Sequence, residues 1–382
     1  MNCRSCGGAT VSLCNLGDQP LANHLLSRVD EPYRRYPLEV LFCETCHLGQ
    51  LRDLVPQDAM FREYVYFTSV SGPSVDSAKA LVDSITVPSQ GLVVEIGSND
   101  GYLLQFYQRR GIRVLGIDPA TGPVDAAAAI DITTVRDYFT ADLAQALPQA
   151  DVIHANNVLA HVPDLNDFVA GLAILLAPGG KCYVEVPYLG RLLEGCYFDT
   201  IYHEHAYYFS IHALVMLFER HALFVASVEH IPAHGGSLRL CISKQRVTLD
   251  LPAESLPGRD MQSRMENIAA ELRRTTILLR NENERVWGFG AAAKATVMLN
   301  YCGISEPFIA AIADDTPAKI GKFIPGTGIE IRPTADWLDA APPYTCVFAW
   351  NFAQAIAHRY ATRYHGEMFT PYILPTVKEQ LA

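Results

Sequence analysis

Basic charge is scarce in this chain. It has 30 lysines and arginines against 41 aspartates and glutamates, for a formal net charge of −11. Nucleic-acid binding draws on a basic face, so that class is set aside. An anionic small molecule remains admissible where cations gather locally. No uncharged apolar run reaches the length of a bilayer span. The opening Met-Asn-Cys-Arg-Ser-Cys does not read as a secretory leader. Internal repeats and low-complexity tracts are missing as well. A charged fraction of 19% beside a hydrophobic fraction of 49% excludes a disordered chain. A folded cytoplasmic protein is the expectation, and 382 residues leave room for two or three domains.

Cysteine is not scarce. There are ten, four of them in the pairs Cys3-x-x-Cys6 and Cys43-x-x-Cys46. Each pair places two thiolates on one tight knuckle, and two knuckles complete a tetrahedral zinc site. Gly7 and Gly49 are expected to supply the turns. A sizeable loop should hang between the pairs, packing on the next domain. Four thiolates close the site, so the metal is expected to be structural; Cys14 and His47 read as packing or surface residues.

The chain is organised around residues 92–104, Leu-Val-Val-Glu-Ile-Gly-Ser-Asn-Asp-Gly-Tyr-Leu-Leu. This predicts a buried parallel strand, a sharp turn through Gly97, Asn99 and Gly101, and a helix. Glu95 closes the strand as an acceptor. A second apolar strand ends at Asp118, where an acid binds the hydroxyls of an adenosine ribose. A dinucleotide would need a pyrophosphate where Asp100 stands, so a cationic, phosphate-free adenosine ligand fits better: S-adenosylmethionine (SAM).

From residue 92 to about 244 strands and helices alternate, predicting a doubly wound sheet closed by a hairpin around Gly235-Gly236. Asp137, Tyr138 and Phe139 end a third strand and flank the adenine. Asn156, Asn157 and His161 follow the fourth strand, at the carboxyl end where ligands collect. Tyr64 and Tyr66 share one strand face, either as stacked core rings or as phenols lining a pocket above the SAM strand. Residues 202–208, Tyr-His-Glu-His-Ala-Tyr-Tyr, concentrate titratable groups. Acid–base catalysis is preferred there over a metal site or an aromatic cluster, because histidine is matched to proton transfer near neutrality. After a polar linker and a long helix, Gly288-x-Gly290-x-x-Ala293-Lys294 opens a second Rossmann-like unit. It reads either as an NAD site with Asp314 on the ribose, or as a helix N-terminus with Gly290, Ala291 and Lys294 holding the diphosphate of a sugar nucleotide. A solvated surface lysine is the plain alternative for Lys294.

Taken in this order, the motifs resemble the sugar nucleotide C-methyltransferases of deoxysugar pathways. The likeness runs through the two cysteine pairs, Tyr64-x-Tyr66, residues 95–101, Ala155-Asn-Asn157 with His161, Tyr202-His-Glu-His205, Gly235-Gly-Ser-Leu-Arg239 and residues 288–294. It implies an α/β protein in three parts. A zinc-binding domain would occupy residues 1–70, a SAM-binding methyltransferase domain 71–246, and a Rossmann-like domain 247–382 that helps to hold the nucleotide. It also implies active-site positions at Tyr202, Glu204, His205, His161 and one of Tyr64 and Tyr66, with Tyr64 taken as catalytic, Tyr66 as a cofactor contact and Arg239 as a substrate contact. The implied substrate is a dTDP- or GDP-linked 4-keto deoxysugar methylated at C3, and a monomer is compatible with this organisation. A carbon acceptor needs a base near the carbon and donors near the developing enolate oxygen. His205 is the expected base, oriented by Glu204, with Tyr202 and His161 as donors or shields. Rival readings are an O- or N-methyltransferase, a nicotinamide oxidoreductase and a non-catalytic nucleotide-binding module.

Overall fold

A computed structural model describes residues 1–57, 60, 67–70, 72–247, 254, 256, 260–281 and 285–375. Tyr64 and Tyr66 lie outside the described residues. The chain divides into two compact units. The first comprises Met1–Val11, Leu41–Gly190 and Glu204–Leu256; the second comprises Ser12–Val40, Arg191–His203 and Pro257–Ala382.

Beyond the cysteine knuckles, the two strands that lie mostly in the second unit come first, β1 (Thr10–Pro20) and β2 (Arg35–Cys43). The stretch between the cysteine pairs is therefore built from paired strands rather than from an open loop. In the first unit, β3 (Gly49–Leu51) pairs antiparallel with β9 (Tyr207–Tyr208).

The main sheet of the first unit has seven strands. They are β4 (Leu92–Ile96), β5 (Arg113–Ile117), β6 (Thr134–Val135), β7 (Ala150–Asn156), β8 (Leu176–Pro187), β10 (Phe224–Ile231) and β11 (Ser237–Ser243). Their order is β10-β11-β8-β7-β4-β5-β6, with β11 antiparallel to both neighbours. The order reverses between β4 and β7, which makes their carboxyl ends the switch point where ligands of such sheets bind.

Every residue of β4 is buried, as a central parallel strand covered on both faces requires. Leu92, Val94 and Ile96 join the core that includes Leu165, Phe168 and Leu172 of the helix Leu165–Leu175. Val93 points into the opposite core, with Leu81 and Val82 of the helix Gly72–Ser84 and with Tyr107. Glu95 shares the parity of Val93, so an ionisable carboxyl is placed at the end of an apolar row. Its neighbour across β7 is His154, which is fully enclosed and bonded to the Tyr107 hydroxyl at 3.0 Å.

The second unit carries a five-stranded parallel sheet of β12 (Val286–Phe289), β13 (Ile312–Asp314), β14 (Ile331–Pro333), β15 (Tyr344–Val347) and β16 (Glu367–Phe369). The order is β14-β13-β12-β15-β16, with the reversal between β12 and β15. Trp287, Phe289, Trp337, Tyr360 and Tyr364 form an aromatic core on one face. The last strand ends at Phe369, and the apolar run 372–374 adds none. Pro371 and Pro375 flank that run and lack an N–H to donate, and Thr370 and Ile373 bond each other's backbone in a turn instead. No described helix is long and apolar enough to cross a membrane.

Candidate active site and metal centre

The loop after β4 is held by its own backbone. Gly97 and Ser98 both donate to the Ile117 carbonyl, at 2.8 and 3.2 Å. Gly97 has φ +68°, and a Cβ there would stand 2.4 Å from Val158 Cγ2. The close approach that demands glycine is thus to the loop after β7. Asp118 accepts from Asn99 N at 2.9 Å and from Ala120 N at 2.8 Å, which leaves each carboxylate oxygen further acceptor capacity. The turn is clamped from outside: Asn99 Oδ1 accepts from Thr68 N at 2.8 Å and Asp100 Oδ2 from Ser69 N at 3.1 Å.

Glu95, Asp100 and Asp118 are buried around this one turn, and among the described residues no lysine or arginine forms an ion pair with any of them. Neither oxygen of Glu95 has a well-formed hydrogen bond to a described residue. Its pKa is raised well above the ordinary carboxylate value, first by burial, then by the charge of Asp118, against a lowering by the Tyr102 hydroxyl. Asp118 is also raised, by burial ahead of the two backbone N–H groups that lower it. Three crowded carboxyls with unspent acceptors suit a ligand that brings positive charge and donors, as SAM does through its sulfonium, ammonium and ribose hydroxyls.

At the end of β7, Asn156 Oδ1 is buried without a bonding partner among the described residues, and Asn157 turns the chain at φ +56°. His161 follows five residues on. Its ring meets that of His205 edge-on, with centroids 4.9 Å apart. His205 in turn lies 6.5 Å from Tyr208. Ala206 N donates to Ala160 O at 2.7 Å and Leu51 N to Ala206 O at 2.9 Å, which fixes the His205 segment against the β7 loop. Residues 203–204 form a turn, not an extended strand, so the Tyr-His-Glu-His row has no alternating faces. Glu204 and His205 belong to the first unit and Tyr202 and His203 to the second. His203 is spent on structure: its ring packs on Tyr36 and its Nε2 lies 3.2 Å from the Tyr36 carbonyl. Burial lowers its pKa.

The remaining candidates are dispersed. Asp137 follows a strand that is only two residues long and is exposed, whereas Phe139 sits in the core against Phe168 at 5.2 Å. Arg239 lies on β11 with Nε donating to Glu185 Oε1 at 2.6 Å and Nη1 to Glu229 Oε2 at 3.3 Å. Its charge is already matched within the sheet. Gly290, Ala291 and Lys294 surround the start of the helix Ala293–Cys302. There Asp314 Oδ2 accepts from Ala291 N at 2.8 Å and Asp314 Oδ1 from Thr316 N at 2.8 Å.

The four paired cysteines converge. Cys3 and Cys46 sulfurs are 3.6 Å apart, Cys6 and Cys43 3.5 Å, and all four lie within 4.8 Å of one another. A tetrahedron of Zn–S bonds of about 2.3 Å has an edge of about 3.8 Å, so the set fits zinc closely. Gly7 N donates to Cys3 O at 2.9 Å and His47 N to Cys43 O at 2.8 Å, two equivalent knuckles. The second uses His47 at φ +61° where the first uses Gly7 at φ +77°. Gly49 instead lies in β3, where a Cβ would stand 3.0 Å from that of Tyr208. His47 is kept in place by Phe42 and His212, with ring centroids at 5.7 and 4.9 Å. The bond to Cys46 draws the Cys3 thiol down to about 5, and the same bond pushes Cys46 up.

Comparison with known proteins gives this geometry its family. C-methyltransferase NovU of Streptomyces niveus is 33% identical over 380 residues, 93% of this chain and 90% of NovU. The chain belongs to the C-methyltransferase family of NovU. Family models agree along its length: residues 79–227 match a methyltransferase domain, residues 232–373 a C-methyltransferase C-terminal domain, and residues 3–61 a domain model whose description proposes zinc binding. A ubiquinone biosynthesis O-methyltransferase of Aeromonas salmonicida is 33% identical over 114 residues, 27% of this chain and 48% of that protein. The solved mitomycin 7-O-methyltransferase MmcR is 16% identical with a TM-score of 0.38, over 46% of this chain and 55% of that one.

In this SAM-dependent C-methyltransferase, Glu95 and Asp100 at β4 and His161 after β7 stand toward the carboxyl ends of adjacent parallel strands, and His205 meets His161 from the segment before β9. Several participants carried no sequence signal of their own. Thr68 and Ser69 act through backbone N–H groups, which every residue but proline has. Tyr208 is different, since it lies within the titratable stretch 202–208 and is legible there; Val158 carries no such signal.

Proposed function

We propose that this C-methyltransferase acts on a nucleoside-diphosphate-linked 4-keto deoxysugar, dTDP- or GDP-linked, and methylates the carbon next to the ketone, C3. The observation that supports the reading is the His161–His205 ring contact in the loop that follows β7, the strand beside β4, whose end carries Glu95 and Asp100. When bound, SAM supplies a methyl group on a sulfonium, a good electrophile that requires a nucleophilic carbon. His205 removes the proton from that carbon, oriented by Glu204, and a base of this kind contributes about 10²–10⁴-fold. Tyr202 and His161 donate toward the oxygen that gathers the enolate charge, together with one of Tyr64 and Tyr66.

Glu95, Asn99, Asp118, Asn156 and Asn157 hold the cofactor, with Asp137, Tyr138 and Phe139 beside the adenine. Lys294, with Gly290 and Ala291, holds the diphosphate in the second unit, and Arg239 is assigned to substrate as well. Cys3, Cys6, Cys43 and Cys46 hold a structural zinc. The chain divides by role into residues 1–70, 71–246 and 247–382 and works in the cytoplasm.

Two measurements test this. With SAM withheld, substrate in deuterium oxide exchanges one carbon-bound hydrogen, and His205→Ala stops the exchange. With 13C-methyl SAM, the label appears on carbon. Label on oxygen or nitrogen, with no exchange, would replace carbon-acid chemistry with ordinary O- or N-methylation.

A further inference from the structure

The second unit contains a connected cluster that the methyl-transfer chemistry leaves unused. It stands at the carboxyl ends of β12 and β15, the switch point of the parallel sheet. Lys294 lies in the first turn of the helix Ala293–Cys302, directly after β12; Trp350 and Asn351 follow β15. Lys294 Nζ donates to Asn351 Oδ1 at 2.8 Å and sits 4.5 Å from the centre of the Trp350 ring. Tyr197 stacks on Trp350 with centroids 4.3 Å apart and planes 27° from parallel.

Behind this layer is Asp199, with 1% of its surface exposed. Trp350 Nε1 donates to one carboxylate oxygen at 2.7 Å, and the Tyr372 hydroxyl donates to the other at 2.6 Å. Burying a carboxylate is costly, and two neutral donors offset only part of the cost. Lys294 provides the opposite charge through the indole: an acceptor on the Nε1–H makes the ring face more negative, and the ammonium lies over that ring. Burial pushes Asp199 up to about 6 against the pull of Lys294, and burial lowers Lys294 against the pull of Asp199. Each charge is therefore sustained by the other. Lys294 itself is only half-buried, and Asn351 takes one of its three N–H donors.

We infer that Asp199, acting through Trp350 and Tyr372, is a positioning residue that holds the Lys294 ammonium charged and aimed for the diphosphate of a nucleotide ligand. The inference rests on the reading of Lys294 as the diphosphate-holding residue. A plain staple between η-turn Phe198–Thr200 and the segments after β15 and β16 would cost stability when broken, but would not depend on the lysine.

The test is a double-mutant cycle on the full chain, read by calorimetric titration with inorganic pyrophosphate and with thymidine 5′-diphosphate. Lys294→Ala weakens both by about 10- to 100-fold, the scale of a charge-assisted hydrogen bond. Asp199→Asn weakens both by about 3- to 10-fold when Lys294 is present and by nothing further in the Lys294→Ala background. Trp350→Phe, which keeps a ring and loses the N–H, behaves like Asp199→Asn. In turnover these changes raise KM and leave kcat within about twofold. Equal losses from Asp199→Asn in both backgrounds, or no loss with Lys294 present, would overturn the positioning role while leaving Lys294 as an anion holder. No effect of Lys294→Ala, or no binding of either probe to the unaltered protein, would remove the diphosphate reading and this inference together. Should Asp199→Asn fail to fold, Tyr372→Phe enters the same cycle in its place.

Discussion

Glu95→Gln is expected to act in opposite directions on the free protein and on the cofactor complex. The carboxyl is 1% exposed, lies near Asp118, Asp100 and Glu185, and has no well-formed bond among the described residues. In the proposed cofactor complex it would face a cation with donors, and a hydrogen bond to a charged group contributes about 1.5–3 kcal/mol. Losing it weakens SAM binding by about 10- to 150-fold at 25 °C.

In the free protein the sign reverses. The folded pKa of Glu95 is raised above its unfolded value, so between the two the folded state binds more protons than the unfolded state. Stability then falls as pH rises through that window. Thermal melting of the SAM-free protein should therefore decline from pH 5 upward. Glu95→Gln flattens the decline without abolishing it, because Asp118 is shifted the same way. The assay is a melting series from pH 5 to pH 8 for both proteins, with SAM affinity measured at pH 7.5. An unchanged pH slope together with unchanged SAM affinity would refute the placement of Glu95 as the buried acid of the cofactor site.

His205→Ala should reduce turnover by about 10²–10⁴-fold with SAM affinity nearly unchanged, as checked by single-turnover kinetics beside equilibrium binding. Removing metal with a strong chelator should lower the melting temperature and expose four reactive thiols, because Cys43 and Cys46 have no exposed surface in the fold; elemental analysis should find about one zinc per chain. Arg239→Leu leaves Glu185, whose pKa burial already raises, without its bond of 2.6 Å. Loss of such a partner costs about 3 kcal/mol, read as a drop in denaturation midpoint. A large fall in SAM-independent stability with little change in KM would mark Arg239 as a residue of the sheet, whereas a raised KM at unchanged stability would mark it as a substrate contact.

Much of the architecture is written in short-range pattern. The apolar run of β4, its acid and its glycine turn specify a buried strand entering a sharp turn, because a five-residue run ended by glycine is too short for a helix and suits a strand covered on both faces. Two Cys-x-x-Cys pairs specify a thiolate cluster, since sulfur geometry at a metal tolerates few alternatives. The hairpin Phe224–Ile231 with Ser237–Ser243 follows from alternation around Gly235-Gly236. Other features depended on neighbours distant in the chain. His47 takes the left-handed backbone that the second knuckle needs, where the first has glycine, and its ring packs between Phe42 and His212.

By itself, then, the sequence determined the central strand with its glycine turn, the closing hairpin and the two cysteine pairs, each of which arises from residues close together in the chain. Tertiary structure alone decided which polar residues meet. It turned the Tyr-His-Glu-His row so that His205 faces His161 while His203 goes to Tyr36, and it tied Arg239 to acids on two other strands. It also enclosed Asp199 beneath Trp350. The reason is physical: a buried charge or imidazole is satisfied by whatever the packed chain brings to it, and that partner is chosen by the whole fold rather than by local spacing.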